Sequence, residues 1–581
     1  MIEPDTTDHG CCNLRWSLAL FDGLIAGGMR RLVLSPGSRS TPLVLAGQRQ
    51  PVLELTPILD ERSAAFFALG LAQASGRPVG LLCTSGSALA HWLPAVIEAS
   101  ESEIPLILLS ADRPAELRGW GANQTIDQTR LFGGFVREFH DPGLAEDHPA
   151  ALKMIRALGV RVAAVSQGRW PGPVHLNLPF REPLVPQPAC LEATQHERSM
   201  VHDSLLTHSL GTRKAPLHAG ERGWGEGVEA LMSGRGLICC GPGNWSPTFA
   251  ESLWVCAERL AVPVLCDPLS GLRFGLLTTT SAKHRITRYD SLLRHPQTAA
   301  ALKPDWVLRI GRAPVSKILL GWLADIPTIL IHAGQGWSDP NYNVWFRINA
   351  DPTSVCAWLA DLDWIGSDTN WCAQWAMAEH QMEHLTADYL AQAPWCEAQL
   401  LVELLSRLPA EEGLLCANSM PIRQLDSWSG SRDASLRVFG NRGASGIDGQ
   451  SSTLAGLNAG GIPTTGLLGD LSFLHDLSGL LLLRQLERPC IVLNNGGGRI
   501  FDYLPQHGLP GFAQFWRTPV ELDLGDLLRP FGIAHRVVSD GAGFREALDS
   551  TSGVIEVMLD GAISQKVHQT FWRGLLSGIS I

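Results

Sequence analysis

Near its C-terminal end the chain reads TTGLLGDLSFLHDLSGLLLLRQLERPCIVLNNGGGRIF. One apolar run closes on Asp470. A helix-length stretch follows, and a second apolar run, 491–493, closes on Asn494 and Asn495. Short apolar runs joined by a helix-length crossover pair as neighbouring parallel strands. The same rhythm recurs along the chain: RRLVLSPGS, VLELTP, RPVGLLCTSGS and IPLILLSADRP in residues 10–185, then GRGLICCGPGN, VPVLCDPLSG, DWVLRIG and IPTILIHAG in 229–365. GLLCANS, TTGLLGD, PCIVLNN and SGVIEVM follow after Ala398. The pattern predicts an α/β protein of three doubly wound domains with mainly parallel sheets, at 1–186, 229–397 and 398–581. The polar, irregular stretch 187–228 reads as a linker.

Composition narrows the function. The 581 residues are 45% hydrophobic and 18% charged, which predicts packed cores and excludes wholesale disorder. The net charge is −11 and no Lys/Arg run stands out, so no nucleic-acid partner is expected. No uncharged apolar stretch reaches about 18 residues, so no membrane span is expected. The start, MIEPDTTDHGCCNLRW, lacks the apolar core of a signal peptide. The 13 cysteines form no CxxC pair, and the adjacent Cys11 and Cys12, and Cys239 and Cys240, fit no zinc spacing. Reduced, buried thiols and a cytoplasmic location are the expectation. A nucleotide-binding α/β protein of unrelated chemistry lacks support, since no GxxxxGK[ST] loop is present.

Ligands of open parallel sheets sit beyond the carboxyl ends of the strands. Asp470 and Asn495 fall there, one crossover apart, and both are hard oxygen donors of the kind Mg²⁺ takes. The glycines of NNGGG let backbone approach an anion. Taken alone, Asp470 reads as a helix cap and the Asn pair as a turn. At this interval they read as a metal–diphosphate clamp. Glu61, in LDERSAAFFALGLA, stands at a strand-to-helix turn, where the helix dipole by itself would favour an acid. Thr84, Ser85 and Gly86 close the next strand. Arg39, Arg113, Arg423 and Arg442 lie in turns, several at or just after strand ends. Guanidinium forks suit carboxylates, so this set in an acidic chain points to multiply anionic substrates.

Together these motifs resemble those of thiamine-diphosphate enzymes. SPGSRSTPL, ADRP…GANQTIDQ, NRGASGIDG and GDLSFLHDL…NNGGGRIF resemble the 2-succinyl-5-enolpyruvyl-6-hydroxy-3-cyclohexene-1-carboxylate synthase family in particular. The resemblance implies the block order pyrimidine, middle, diphosphate, with thiamine diphosphate and Mg²⁺, or Mn²⁺, as cofactors. It implies that Asp470, Asn495 and the Gly497 carbonyl hold the metal, and that catalytic Glu61 faces the aminopyrimidine ring. Thr84, Ser85, Gly86, Ser445, Leu471 and Ser472 would contact the cofactor, and Ile447 would bend it so that its two rings meet. The implied substrates are 2-oxoglutarate and isochorismate, joined with loss of CO₂ on the way to menaquinone or phylloquinone. Their contacts would be Ser38, Arg39, Arg113, Asn123, Gln124, Lys317, Ser419, Arg423, Arg442, Ile500 and Phe501. Ile318 stands where some members have a second cation. The family implies a homodimer, or a dimer of dimers, with each site shared by two chains. Two alternatives remain: another carboligase of the acetohydroxyacid synthase type, and a non-enzymatic thiamine-fold binding protein. Glu61, Asp470 and Asn495 speak against the second.

Overall fold

The computed structural model describes residues 8–192, 232–334, 336–362, 369–550 and 552–575. Most of the expected linker, 193–228, lies outside them. The first sheet comprises β1 Arg31–Leu34, β2 Glu54–Pro57, β3 Val79–Cys83, β4 Leu106–Asp112, β5 Phe139–His140 and β6 Val174–Pro179, ordered β2-β1-β3-β4-β6-β5. The second comprises β7 Gly236–Cys240, β8 Val264–Cys266, β9 Arg285–Ile286, β10 Trp306–Ile310, β11 Thr328–Ile331 and β12 Val344–Ile348, ordered β12-β11-β10-β7-β8-β9. The third comprises β13 Gly413–Cys416, β14 Arg437–Phe439, β15 Thr464–Gly469, β16 Cys490–Asn494, β17 His535–Val538 and β18 Val554–Met558, ordered β14-β13-β15-β16-β18-β17. The pairings are parallel, as the apolar rhythm predicts. Central strands such as β3 and β4 are buried throughout, because helices cover both faces of a parallel sheet.

Counted within each sheet, the first and third share one order, 2-1-3-4-6-5, while the second is wound 3-2-1-4-5-6. Where the winding reverses, neighbouring loops part and leave a crevice. This falls at β1/β3, β7/β10 and β13/β15. In the middle sheet the crevice is filled. A Cβ on Gly243 or Gly311 would come within 2.2 and 2.7 Å of the Trp245 ring, whose Nε1 donates to the Ser270 carbonyl at 2.7 Å. The indole stands where a dinucleotide would lie in such a winding.

In the first block the helices are α1 His9–Ala26, α2 Thr41–Gln48, α3 Glu61–Ser75, α4 Leu93–Glu101 and α5 Pro149–Ser166. Helix α3 ends on Gly76 at φ 63°, the left-handed cap that glycine adopts most cheaply. Glycines also set the closest helix contacts. A Cβ on Gly70 of α3 would lie 2.3 Å from the Thr453 carbonyl of the helix Gln450–Ala459. One on Gly456 would lie 2.2 Å from the Phe67 carbonyl.

The chain divides into two compact units. One gathers residues 1–213, 441–462 and 476–485; the other gathers 214–440, 463–475 and 486–581. Two stretches of the third block's sequence therefore pack with the first block. For the same reason the stretch after Asp470 is not one helix. It folds as a six-residue helix, Asp470–His475, followed by a 3₁₀ stretch, Leu477–Gln485. At the break, the buried Asp476 carboxylate accepts from the Ser452 backbone N–H at 2.8 Å and its hydroxyl at 3.2 Å. Burial pushes its pKa up to about 6.

The expectation of reduced thiols fails at one place. Cys11 and Cys190 form a disulfide, with Cα atoms 5.9 Å apart, because α1 packs against the chain that follows β6. Gly10 shows how closely: a Cβ there would meet the Val185 carbonyl at 2.6 Å. The other eleven cysteines stand outside any disulfide and are buried. No helix among the described residues is long and apolar enough to cross a membrane.

Candidate active site

In the first sheet the polar loops at the β1/β3 crevice converge. Ser38 and Arg39 follow β1, Glu61 follows β2, and Thr84, Ser85 and Gly86 follow β3. Gly37 has no room for a Cβ, which would lie 2.3 Å from that of Thr84. Glu61 is the half-buried first residue of α3, and Asp60 caps that helix by accepting from the Ser63 N–H at 2.9 Å. The Cys83 thiol at the end of β3 is raised by its burial first and by the Glu61 charge second.

The cationic side of this site is equally close. Arg113 Nη1 donates to the Ser85 hydroxyl and, at 3.0 Å, to the Gln124 carbonyl. Gln124, at φ 54°, returns its side-chain amide to the Ser85 carbonyl at 3.0 Å. Burial lowers the pKa of Arg113, and the neighbouring Arg39 charge lowers it further. Two guanidinium groups near enough to repel each other suit an anionic ligand. Arg39 is 5% exposed and pairs with Glu182 at 2.7 Å, while its buried Nε lacks a partner. Ser38 and Asn123 are exposed in adjoining loops.

Arg442, Ser445 and Ile447 lie on the loop between β14 and the helix Gln450–Ala459, with Ser445 at φ 61°. This loop is clamped by a residue that sequence reasoning missed. Glu98 of α4, 3% exposed, accepts from the backbone N–H groups of Gly443 and Ala444, both at 2.7 Å. Beside it, Phe66, Leu93, Ile97, Glu98, Ala444 and Asp448 line a cavity of about 250 Å³.

In the third sheet, Ser419, Asp470 and Asn495 follow the adjacent strands β13, β15 and β16. Ser419 is held at φ 72°, a backbone strain of the kind that clusters at functional sites. Arg423, one helical turn on, donates to the Ser419 carbonyl at 2.5 Å. Asp470 is 9% exposed, and its two carboxylate oxygens accept from the Leu471 N–H at 2.7 Å and the Gly497 N–H at 2.8 Å. Burial raises its pKa, and these backbone donors oppose the rise. Among the described residues it forms no ion pair, and a buried carboxylate without one is a group that a bound cation would stabilise. Gly497 sits at φ 104°, and a Cβ there would lie 2.2 Å from the Arg517 carbonyl. The Asn495 side-chain amide donates to Glu397 at 3.0 Å, and the Asn495 backbone carbonyl accepts from Arg499 Nε at 2.6 Å. A carboxylate, an amide oxygen and a backbone carbonyl fit Mg²⁺ or Mn²⁺ by the chemistry of the donor set. Ser472 is buried, and Leu471, Ile500 and Phe501 are half-buried around this corner. Lys317 stands apart, exposed, at the start of the helix Lys317–Trp322 beside the middle sheet.

Sequence reasoning also missed Gln128 and Glu397. Gln128, 1% exposed, takes the Gly86 N–H at 2.9 Å and donates to the Ala111 carbonyl and to Asn177. Its signal was its place as the last residue of GANQTIDQ. Glu397 carried none, for it falls at an expected domain boundary.

Two sheets of identical winding, with Glu61, Arg39 and Arg113 after strands of one and Asp470 and Asn495 after strands of the other, suit the class that the comparisons give, a thiamine-diphosphate enzyme. The family described as "Thiamine pyrophosphate enzyme, N-terminal TPP binding domain" matches residues 15–131. Full-length relatives narrow this class. A 2-succinyl-5-enolpyruvyl-6-hydroxy-3-cyclohexene-1-carboxylate synthase of Geobacillus kaustophilus is 40% identical, with 96% of this chain and 97% of the relative covered. Synthases of the same name from Dechloromonas aromatica and Haloarcula marismortui are 39% and 38% identical, over 93% and 96% of this chain and 97% of each relative. The chain belongs to the 2-succinyl-5-enolpyruvyl-6-hydroxy-3-cyclohexene-1-carboxylate synthase family.

Proposed function

We propose that this chain decarboxylates 2-oxoglutarate and adds the remaining succinyl unit to isochorismate in a 1,4-addition, on the route to menaquinone or phylloquinone. The observation that carries the reading is the cation-ready oxygen set at the ends of β15 and β16 in a member of this family. The Asp470 and Asn495 side chains and the Gly497 carbonyl would hold Mg²⁺ or Mn²⁺, with Leu471 and Ser472 beside the diphosphate. Thr84, Ser85, Gly86 and Ser445 would hold the rest of the cofactor, with Ile447 as its apolar prop. Bound thiamine diphosphate supplies the carbon nucleophile and the sink for the electron pair released with CO₂. Glu61 would exchange a proton with the aminopyrimidine ring. Arg39 and Arg113, with Ser38, Asn123 and Gln124, would orient substrate carboxylates by charge-assisted hydrogen bonds. Ser419, Arg423, Arg442 and Lys317 would supply the remaining polar contacts. Ile500 and Phe501 would exclude water, which favours loss of charge as CO₂ leaves.

This reading takes 1–186 as the pyrimidine block, 229–397 as the middle and 398–581 as the diphosphate block. It also takes the chain as a cytoplasmic homodimer, or dimer of dimers, with Glu61 of one copy serving the metal set of the other. The test is purified protein with Mg²⁺, thiamine diphosphate, 2-oxoglutarate and isochorismate, with the product read by mass spectrometry. A product formed from pyruvate, and none from 2-oxoglutarate, would give the assignment to an acetohydroxyacid synthase-type carboligase.

A further inference from the structure

We infer that Glu397 is a positioning residue that turns the Asn495 side chain so that its carbonyl oxygen, not its NH₂, faces the bound cation. The inference rests on the proposed metal set of Asp470, Asn495 and Gly497.

An asparagine side chain presents nitrogen on one edge and oxygen on the other, and a half-turn exchanges them. Only the oxygen edge binds a hard cation. Something must therefore fix the turn before the metal arrives. Glu397 opens the helix Glu397–Arg407 and is 4% exposed. Its Oε1 accepts from Asn495 Nδ2 at 3.0 Å. The edge of Asn495 turned towards it is therefore the NH₂, with the Glu397 oxygen as acceptor. The oxygen is then left to the opposite side. The neighbouring Asn494 is held in the same manner: its Nδ2 donates to Glu556 of β18 at 2.6 Å, and the second oxygen of Glu556 meets His535 Nε2 at 2.9 Å. Each amide of the Asn pair thus has its own carboxylate, one within the sheet and one at the site. Arg499 fixes the Asn495 backbone carbonyl independently, so the side chain alone depends on Glu397.

The test follows cofactor binding, not turnover. Quenching of tryptophan fluorescence by thiamine diphosphate is titrated against Mg²⁺. Glu397→Ala should raise the half-saturating Mg²⁺ about 10- to 100-fold, the usual cost of losing an outer-shell partner. Glu397→Gln keeps an acceptor oxygen and should stay within about threefold of the wild type. A swap covers the case in which Glu397→Ala does not fold. Asn495→Asp alone sets two buried carboxylates against each other and should weaken Mg²⁺ at least about tenfold. Adding Glu397→Gln to it gives the new acid a donor and should restore most of the affinity. A folded Glu397→Ala chain with unchanged half-saturation, or a swap without recovery, overturns the role of Glu397. Asp470→Ala is the control on the underlying reading. If it abolishes Mg²⁺-dependent binding while Glu397→Ala leaves the half-saturating Mg²⁺ unchanged, only the positioning role falls. If Asp470→Ala keeps that dependence, the metal set itself is wrong and the role of Glu397 falls with it.

Discussion

Glu61 is placed by the local rules of a helix start, yet its use depends on what lies beside it. It opens α3 after β2, and β1 alone separates β2 from β3, whose end carries Thr84, Ser85 and Gly86. Glu61→Gln should keep the fold and bind thiamine diphosphate, because amide and carboxylate have the same shape. It should slow proton exchange at the thiazolium carbon by about 10²- to 10⁴-fold, the usual worth of a positioned acid or base. Wild-type exchange, followed by NMR of deuterium uptake, would remove Glu61 from the mechanism. Glu98 acts at the same scale through the loop it holds. Truncation to Ala strips two backbone donors of their acceptor, at a cost of about 1–3 kcal/mol for each buried group left unsatisfied. Glu98→Ala should speed hydrogen exchange at Gly443 and Ala444 and lower kcat, since Ile447 shares their loop. Unaltered exchange at those amides would show that the clamp is not what holds the loop.

At the scale of elements, the contact of α3 with the helix Gln450–Ala459 is set by glycine. Backbones approach closely at Gly70 and Gly456, where a methyl group would meet carbonyl oxygens at 2.3 and 2.2 Å. Gly456→Ala should therefore destabilise by about 1–3 kcal/mol, as overpacking usually does, although alanine is the better helix former. Denaturant unfolding measures this, and a stability equal to or above the wild type would mean the helices can part freely. The helices themselves were legible. Helix α3 spans Glu61–Ser75 as its apolar pattern and Gly76 indicate, because caps and periodicity are local. The break after Asp470–His475 was not legible, because the partner that Asp476 turns to meet is Ser452, on another element.

At the scale of the whole molecule, the two halves of the proposed site lie in separate blocks. The shared-site reading makes a sharp forecast for mixed dimers. Co-expressed Glu61→Gln and Asp470→Ala chains, each inactive alone, should form dimers with one intact and one doubly damaged site. Activity should return to at most about half of the wild-type value per mixed dimer if sites act independently. No recovery, with mixed dimers verified by native mass spectrometry, would favour a site built within a single chain.

The α/β class, the three repeated blocks, four strands in each, and the placement of Glu61 at a helix start and of Asp470 and Asn495 at strand ends were determined by the sequence alone. Each depends on periodicity and turn chemistry within a few residues. Tertiary structure alone decided which side chains hold those residues in place. Glu397 reaches Asn495 across 98 positions, and Glu98 reaches Gly443 across 345. It also decided that Trp245 fills the middle crevice and that Cys11 meets Cys190. Such partners are chosen by packing between distant segments, and a buried carboxylate leaves no periodic mark in the sequence that would name the group it meets.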